Sequence, residues 1–220
     1  MRKIQLFIKR LFDIIVSSIA LIVLLPLFLI IAVAIKATSE GPVFFLQDRL
    51  GYRGKTFKII KFRTMIVNAE HIGDGLRVKS DKDPRITKVG RFLRASSLDE
   101  LPQLLNVVCG SMSICGPRPP ATYVPYDGYE NYPEKAKKRF EMRPGITGLA
   151  QATVRNSATW SERIDIDLQY VKNFNLWLDV KVIALTVKRV FQSEAIYGTS
   201  TKLSNSKKKE IAEDPTTLVR

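Results

Sequence analysis

The chain has 220 residues and a net charge of +14, from 35 Lys and Arg against 21 Asp and Glu. That length allows one domain with at most an appendage, and the charge points to an anionic partner: nucleic acid, a membrane surface or phosphorylated small molecules. Two cysteines, Cys109 and Cys115, argue against a disulfide framework, and the single histidine, His71, gives no basis for a zinc cluster.

The start, MRKIQLFIKRLFD, is basic and amphipathic. Residues 14–35 then form an uncharged apolar run, long enough to cross a hydrocarbon core of ~30 Å. Arg2, Lys3, Lys9 and Arg10 precede it; Lys36, Arg49, Arg53, Lys55, Lys58, Lys61 and Arg63 follow. Positive charge on both flanks asks for both ends in the cytoplasm, which one straight span cannot provide. Pro26 lies mid-run and removes a helical hydrogen bond. The expectation is a re-entrant hairpin broken at Pro26, each half roughly 15–18 Å long and confined to one leaflet. A cleaved signal sequence or a kinked span are the alternatives.

Residues 41–65, GPVFFLQDRLGYRGKTFKIIKFRTM, read as a two-stranded ribbon turning at Tyr52-Arg53-Gly54-Lys55, with Lys58, Lys61 and Arg63 on one basic face. Residues 68–84 read as a helix end and a mobile loop. Residues 85–97 carry Arg85, Lys88, Arg91 and Arg94 at three-residue steps with apolar residues between, the pattern of an amphipathic helix.

Residues 95–120, ASSLDELPQLLNVVCGSMSICGPRPP, hold the adjacent acids Asp99 and Glu100. Asp99 as N-cap would place Pro102 harmlessly in the first helical turn; Ser97 as N-cap would give a capping box with Glu100. We favour the first frame, and either puts both carboxylates at the positive end of a helix. Gly116, Pro117 and Pro119 hold Arg118 on a stiff turn. An ionised acid pair near a rigid guanidinium suits phosphate chemistry, although capping alone explains such acids.

A short helix is expected at the end of residues 123–139. In residues 140–153, FEMRPGITGLAQAT, Arg143 precedes Pro144, Gly145 and Gly148, a turn that permits close backbone approach to a ligand. Helices are predicted over 161–173, with Asp165 and Asp167, and over 176–192, which could lie on a membrane. The polar end reads as a disordered tail. Local patterns alone leave three functions open: an enzyme acting on phosphates, a membrane-anchored nucleic-acid-binding protein, and a membrane scaffold.

Taken together and in this order, the Pro-broken hydrophobic start, GPVFFLQDRLGYRGKTFKIIKFRTM, SSLDELPQLLNVV, GPRP, RPGITGLAQ and the LQYV preceding WLD make the chain resemble the bacterial sugar transferases, the small monotopic phosphoglycosyltransferases, over residues 5 to 195. The resemblance implies a mainly helical α/β fold. A re-entrant membrane helix–break–helix (1–36) would precede a compact catalytic domain (37–195) with a small β element and amphipathic interfacial helices, then a tail (196–220). It implies transfer of a sugar-1-phosphate from a UDP-sugar to undecaprenyl phosphate at the cytoplasmic face of the bacterial inner membrane, with UMP released, Mg²⁺ as cofactor, no nucleic acid as partner and a possible homodimer. Asp99 would be the nucleophile, with Glu100 beside it at the Mg²⁺ site. Lys61, Arg63, Arg91, Arg118 and Arg143 would screen the phosphates, and Gly145, Gln151 and Asp167 complete the expected substrate contacts. Two positions depart from the pattern: Leu25 stands where Ser often precedes the membrane proline, and Pro120 follows GPRP where an aliphatic residue is common.

Overall fold

The computed structural model describes residues 2–72, 83–154 and 158–191. The expected tail, and the part of the expected mobile loop from 73 to 82, lie outside the described residues. The fold is mostly helical, with two small sheets.

Helix α1 spans Arg2–Thr38. Its buried residues, Lys9, Asp13, Ser17, Ile31 and Ile35, recur at four-residue steps and their helical multiples and so form one stripe. Around that stripe the helix is apolar and open: Phe7, Ile22, Val23, Ile30 and Val33 are all more than two-thirds exposed or nearly so. Among the described residues α1 is the helix long and apolar enough, by length and composition, to cross a membrane. The expected break at Pro26 is not a break in secondary structure, because α1 runs through it. Proline removes a single donor, and the turns on either side keep theirs.

Both halves of α1 pack on the same body. Lys9 pairs with Asp179 at 2.6 Å, and Arg10 donates to the carbonyl of Val107 at 2.7 Å. Asp13 accepts from Ser113 Oγ at 2.7 Å and from the Ile114 amide at 3.2 Å. Further along, Ile31 and Ile35 join Phe62 and Leu93 in one apolar cluster. Arg63 donates from Nη2 to both the carbonyl and the hydroxyl of Ser39, each at 2.8 Å, which clamps the chain just beyond α1.

Strands β1 (Phe44–Leu50) and β2 (Thr56–Phe62) pair antiparallel, with Phe45 opposite Lys61. The ribbon matches the sequence pattern, but its basic face does not. Lys61 and Arg63 share the parity of Ile59 and point inward, while Lys58 is exposed. Phe62, on the opposite side, packs against α1.

Helix α2 covers Lys88–Ala95, capped by Thr87 accepting from the Gly90 amide. It starts later than expected because Arg85 is buried against Asp83, at 2.8 Å, in the preceding turn. A 3-10 turn (Leu98–Glu100) leads into α3 (Gln103–Val108). Asn106 of α3 donates to the Lys58 carbonyl at 2.8 Å and accepts from the Ile60 amide at 3.0 Å, so α3 is fixed on β2. Val107 and Met112 bury fully against Ile59 below it. Each such side chain contributes roughly 1.5–3 kcal/mol.

Strands β3 (Ser113–Cys115) and β4 (Gly145–Thr147) pair in parallel, separated by the short helix α4 (Glu134–Lys137). Helices α5 (Leu149–Thr153), α6 (Trp160–Lys172) and α7 (Leu176–Phe191) follow. A capping box, Thr159 with Glu162, starts α6. Cys115, Leu149, Tyr170, Leu178 and Val182 form the core these elements share. Cys115 is buried and Cys109 exposed, and both are free thiols.

Candidate active site

A cleft of about 530 Å³ opens between the Leu98–Glu100 turn, the 116–120 turn, α5, α6 and α7. Lys61, Arg94, Asp99, Glu100, Arg118, Gln151, Arg163 and Arg189 line it, with Leu104, Ile114, Ile146, Ile183 and Val187 as apolar wall.

Neither expected capping frame for the acid pair holds. Ser97 takes a left-handed backbone (φ 58) and makes no side-chain cap, and Asp99 and Glu100 lie on the 3-10 turn before α3. Pro102 is the N-cap of α3, a position that needs no intrahelical N–H, so the α-helix begins only at Gln103. The acids are therefore set by side chains rather than by a helix terminus. Lys61, last of the inward row Phe57–Ile59–Lys61, reaches Glu100 Oε1 at 2.6 Å. Gln103 donates to Glu100 Oε2 at 3.1 Å.

The two carboxylates differ in consequence. Burial pushes Asp99 up to about 6; the adjacent Glu100 adds to this, and Lys61 and Arg94 oppose it. Burial pushes on Glu100 too, but Lys61, Arg118 and the hydrogen bonds from Lys61 and Gln103 outweigh it and hold Glu100 at about 2. Among the described residues, no other side chain hydrogen-bonds to Asp99. One acid is thus pinned and ionised, and the other is open toward the cleft.

The pair fits a divalent cation. Mg²⁺ favours one or two protein carboxylates completed by phosphate and water oxygens. Asp99 is open, and each bonded oxygen of Glu100 keeps a lone pair. Among the described residues no group of three or more His, Cys, Asp or Glu could hold a metal, so other ligands would have to come from substrate and solvent.

Arg118 sits on a turn held at each carbonyl. Arg49 donates to Pro119 O at 3.1 Å, the Leu50 amide to Pro120 O at 3.0 Å, and the Gly145 amide to Pro117 O at 3.0 Å. Arg139 donates to Arg118 O at 2.8 Å and is itself ion-paired with Asp167, both side chains being about 1% exposed. Arg49 is lowered to about 10, first by burial and then by Arg118 beside it.

Of the predicted contacts, the fold brings Lys61, Asp99, Glu100, Arg118 and Gln151 together. Both amide atoms of Gln151 are buried without a hydrogen-bond partner. The other five do not line the cleft. Arg63 is buried and holds Ser39. Arg91 lies on the exposed side of α2, away from the cleft lining. Arg143 lies over the Tyr52 ring and donates to Gly110 O at 2.9 Å, beside a second, small cavity. Gly145 serves packing: a Cβ there would meet Gly116 N and Thr147 O at 2.1 Å. Asp167 does not line the cleft but acts on it through Arg139. Arg94, Arg163 and Arg189 also line the cleft and are not among the expected contacts. Arg94 ends the basic stripe of α2, and Arg163 lies one helical turn before Asp167, so spacing alone could have nominated both.

The family model described as bacterial sugar transferase matches residues 4–193. The chain is 44% identical over 199 residues to a UDP-glucose:undecaprenyl-phosphate glucose-1-phosphate transferase of Klebsiella pneumoniae, a match covering 88% of this chain and 42% of that protein. It is 45% identical over 194 residues to a protein of the same name from Xanthomonas campestris pv. campestris, covering 86% and 40%. With the exopolysaccharide production protein ExoY of Rhizobium meliloti it shares 39% identity over 202 residues, covering 86% of this chain and 88% of that one. The chain thus spans about two-fifths of the length of the first two relatives and nearly the whole of the third. It belongs to the bacterial sugar transferase family.

Proposed function

We infer that the chain transfers a sugar-1-phosphate from a UDP-sugar to undecaprenyl phosphate, releasing UMP and leaving undecaprenyl-diphosphate-sugar. The substrate classes follow the printed names of the relatives. The observation that carries the reading is the asymmetry of the acid pair: Glu100 is pinned by Lys61 and Gln103, and Asp99 is left open in a cationic cleft. An open carboxylate facing a diphosphate is a nucleophile that divides one displacement into two.

In the first step Asp99 attacks the sugar-bearing phosphorus, and UMP departs with the bridging oxygen. In the second, a phosphate oxygen of the lipid attacks the same phosphorus and returns Asp99 as carboxylate. Lys61 keeps Glu100 ionised and moderates the charge around Asp99. Arg118 faces the incoming negative charge from a turn that cannot easily yield. Mg²⁺, held by Asp99 and Glu100, would supply charge screening between diphosphate and carboxylates. The apolar outside of α1 would sit in the cytoplasmic leaflet of the inner membrane, both ends on the cytoplasmic side, keeping the cleft within reach of the lipid phosphate.

The test is a panel of UDP-sugars incubated with detergent-solubilised protein and undecaprenyl phosphate. UMP release dependent on one of them, with a sugar-phosphate mass on the Asp99 peptide when the lipid is omitted, supports the reading. Intersecting double-reciprocal lines, the mark of a ternary complex, would overturn the covalent route.

A further inference from the structure

Arg118 and Arg163 line the same cleft, with Glu100 and Asp167 near enough to feel their charge, yet among the described residues neither guanidinium closes an ion pair within 4 Å or donates a hydrogen bond. Arg163 is half-buried, its Nε is fully buried and unbonded, and its ring neighbour is Trp160, 5.5 Å away. The placement is enforced from below. Asp167, one turn along α6 from Arg163, grips Arg139, and Arg139 holds the carbonyl of Arg118 at 2.8 Å. The fold thus brings two like charges toward one space and leaves donor capacity unused there. A phosphate placed between them would accept the donors left unused and offset the repulsion of the two guanidiniums.

We propose that Arg118 and Arg163 form one phosphate subsite used twice in each turnover, first by the phosphate of the leaving nucleotide and then by the phosphate of the incoming lipid. The inference rests on the two-step transfer proposed above. Each displacement at phosphorus is in line, so the leaving phosphate and the later attacking phosphate both lie opposite the Asp99 oxygen. When Asp99 attacks, the phosphorus–oxygen bond to the nucleotide breaks and its electron pair stays on UMP, which gains one negative charge. When the lipid attacks, its phosphate oxygen gives up that charge to the new bond, and the Asp99–phosphorus pair returns to the carboxylate. No proton need move. Extra charge therefore appears and disappears at one place, where two planar guanidiniums can meet it bidentately.

The test is titration calorimetry of the full-length protein in detergent with UMP and with uridine, together with KM for undecaprenyl phosphate, in wild type, Arg163→Gln and Arg163→Lys. Arg163→Gln should weaken UMP at least about tenfold and raise the lipid KM by a comparable factor, with uridine unchanged. Arg163→Lys, which keeps the charge but loses the fork, should fall between and carries the comparison if the glutamine variant unfolds. UMP should inhibit competitively against undecaprenyl phosphate. Movement of only the UMP constant, or only the lipid KM, overturns the double use, and no movement of either overturns the subsite. Should wild-type protein release no UMP from any UDP-sugar, the transfer reaction itself falls; wild-type turnover with unmoved variants sinks only the subsite.

Discussion

Lys61 Nζ lies 2.6 Å from Glu100 Oε1 and makes no such contact with Asp99. This one contact separates two chemically similar neighbours. Glu100 becomes a fixed anion, while Asp99 keeps an acidity near 6. A nucleophilic role for Asp99, as proposed, requires its ionised form, so kcat/KM measured with limiting cation should rise with pH through about 6 and level off above it. Replacing Lys61 by Met removes a positive charge that favours ionised Asp99, so the rising limb should move to higher pH. A pH–rate profile for the two proteins checks this, and a limb that stays put or moves down contradicts the assigned role of Lys61.

Asp99→Asn should lower turnover by roughly 10³-fold or more, since among the described residues no other open carboxylate lines the cleft. The same variant should be no less stable than wild type. The sign follows from the raised pKa: an acid lifted above its usual value disfavours folding once ionised, a penalty that sets in as pH rises from about 4 to about 6. Glu100→Gln should act in the opposite sense. Its depressed pKa contributes stability above about 4.5 that is lost as pH falls toward about 2. Thermal unfolding at pH 7 should therefore place Asp99→Asn at or above wild type and Glu100→Gln below it. The reverse order would contradict the asymmetry.

Removal of divalent cations with EDTA should stop UMP release, and Mg²⁺ should restore it. In the proposed reaction a cation would screen the two carboxylates from the donor diphosphate, and the described residues offer no third acid to share its load. Full activity after exhaustive chelation would leave the cationic side chains as the sole source of screening.

Arg139 and Asp167 are both about 1% exposed, and their pairing supports the Arg118 carbonyl. Asp167→Ala should destabilise the protein by about 3–5 kcal/mol, because it strands a buried guanidinium. The double change Arg139→Met with Asp167→Leu should recover most of that loss in a denaturant titration. It should not recover activity, since the 116–120 turn still lacks its donor. A double variant with wild-type kcat/KM would show that the pair serves packing alone.

The parts legible in the sequence were those fixed by local rules. Period-two and helical patterns located β1, β2, α6 and α7 to within a few residues. The acid pair and Arg118 were legible because proline and glycine frame them. What escaped depends on packing between distant segments. Arg63 and Arg143 look like phosphate ligands in the chain, yet the fold uses them to hold Ser39 and Gly110. Gly145 looks like a ligand cradle, but the close approach it permits is that of β3. The start of α3 was misjudged because a proline tolerated inside a first turn is tolerated equally at the cap.

The last prediction concerns the path of α1. A straight helix of 37 residues would extend roughly 55 Å at 1.5 Å per residue, well beyond a hydrocarbon core of ~30 Å. Near its start, Lys9, Arg10 and Asp13 are tied to Asp179, Val107 and Ser113. Near its end, Ile31 and Ile35 pack on Phe62 and Leu93, and Arg63 fixes Ser39 just beyond. If α1 crossed the bilayer, one of these sets would have to part from the domain, and burying Asp13 or Lys9 in lipid without its partner would be costly. The apolar residues between, among them Ile22, Val23 and Leu25, are left open on the outer side, where lipid chains could cover them. Both ends should therefore face the cytoplasm. Single cysteines at Lys3 and Lys36, in a background lacking Cys109 and Cys115, can be challenged with an impermeant thiol reagent in intact and opened cells. Protection of both sites until the cells are opened is the expected result. Labelling of the Lys3 site from outside intact cells would show that α1 spans the membrane and that the contacts of Lys9, Arg10 and Asp13 do not hold there.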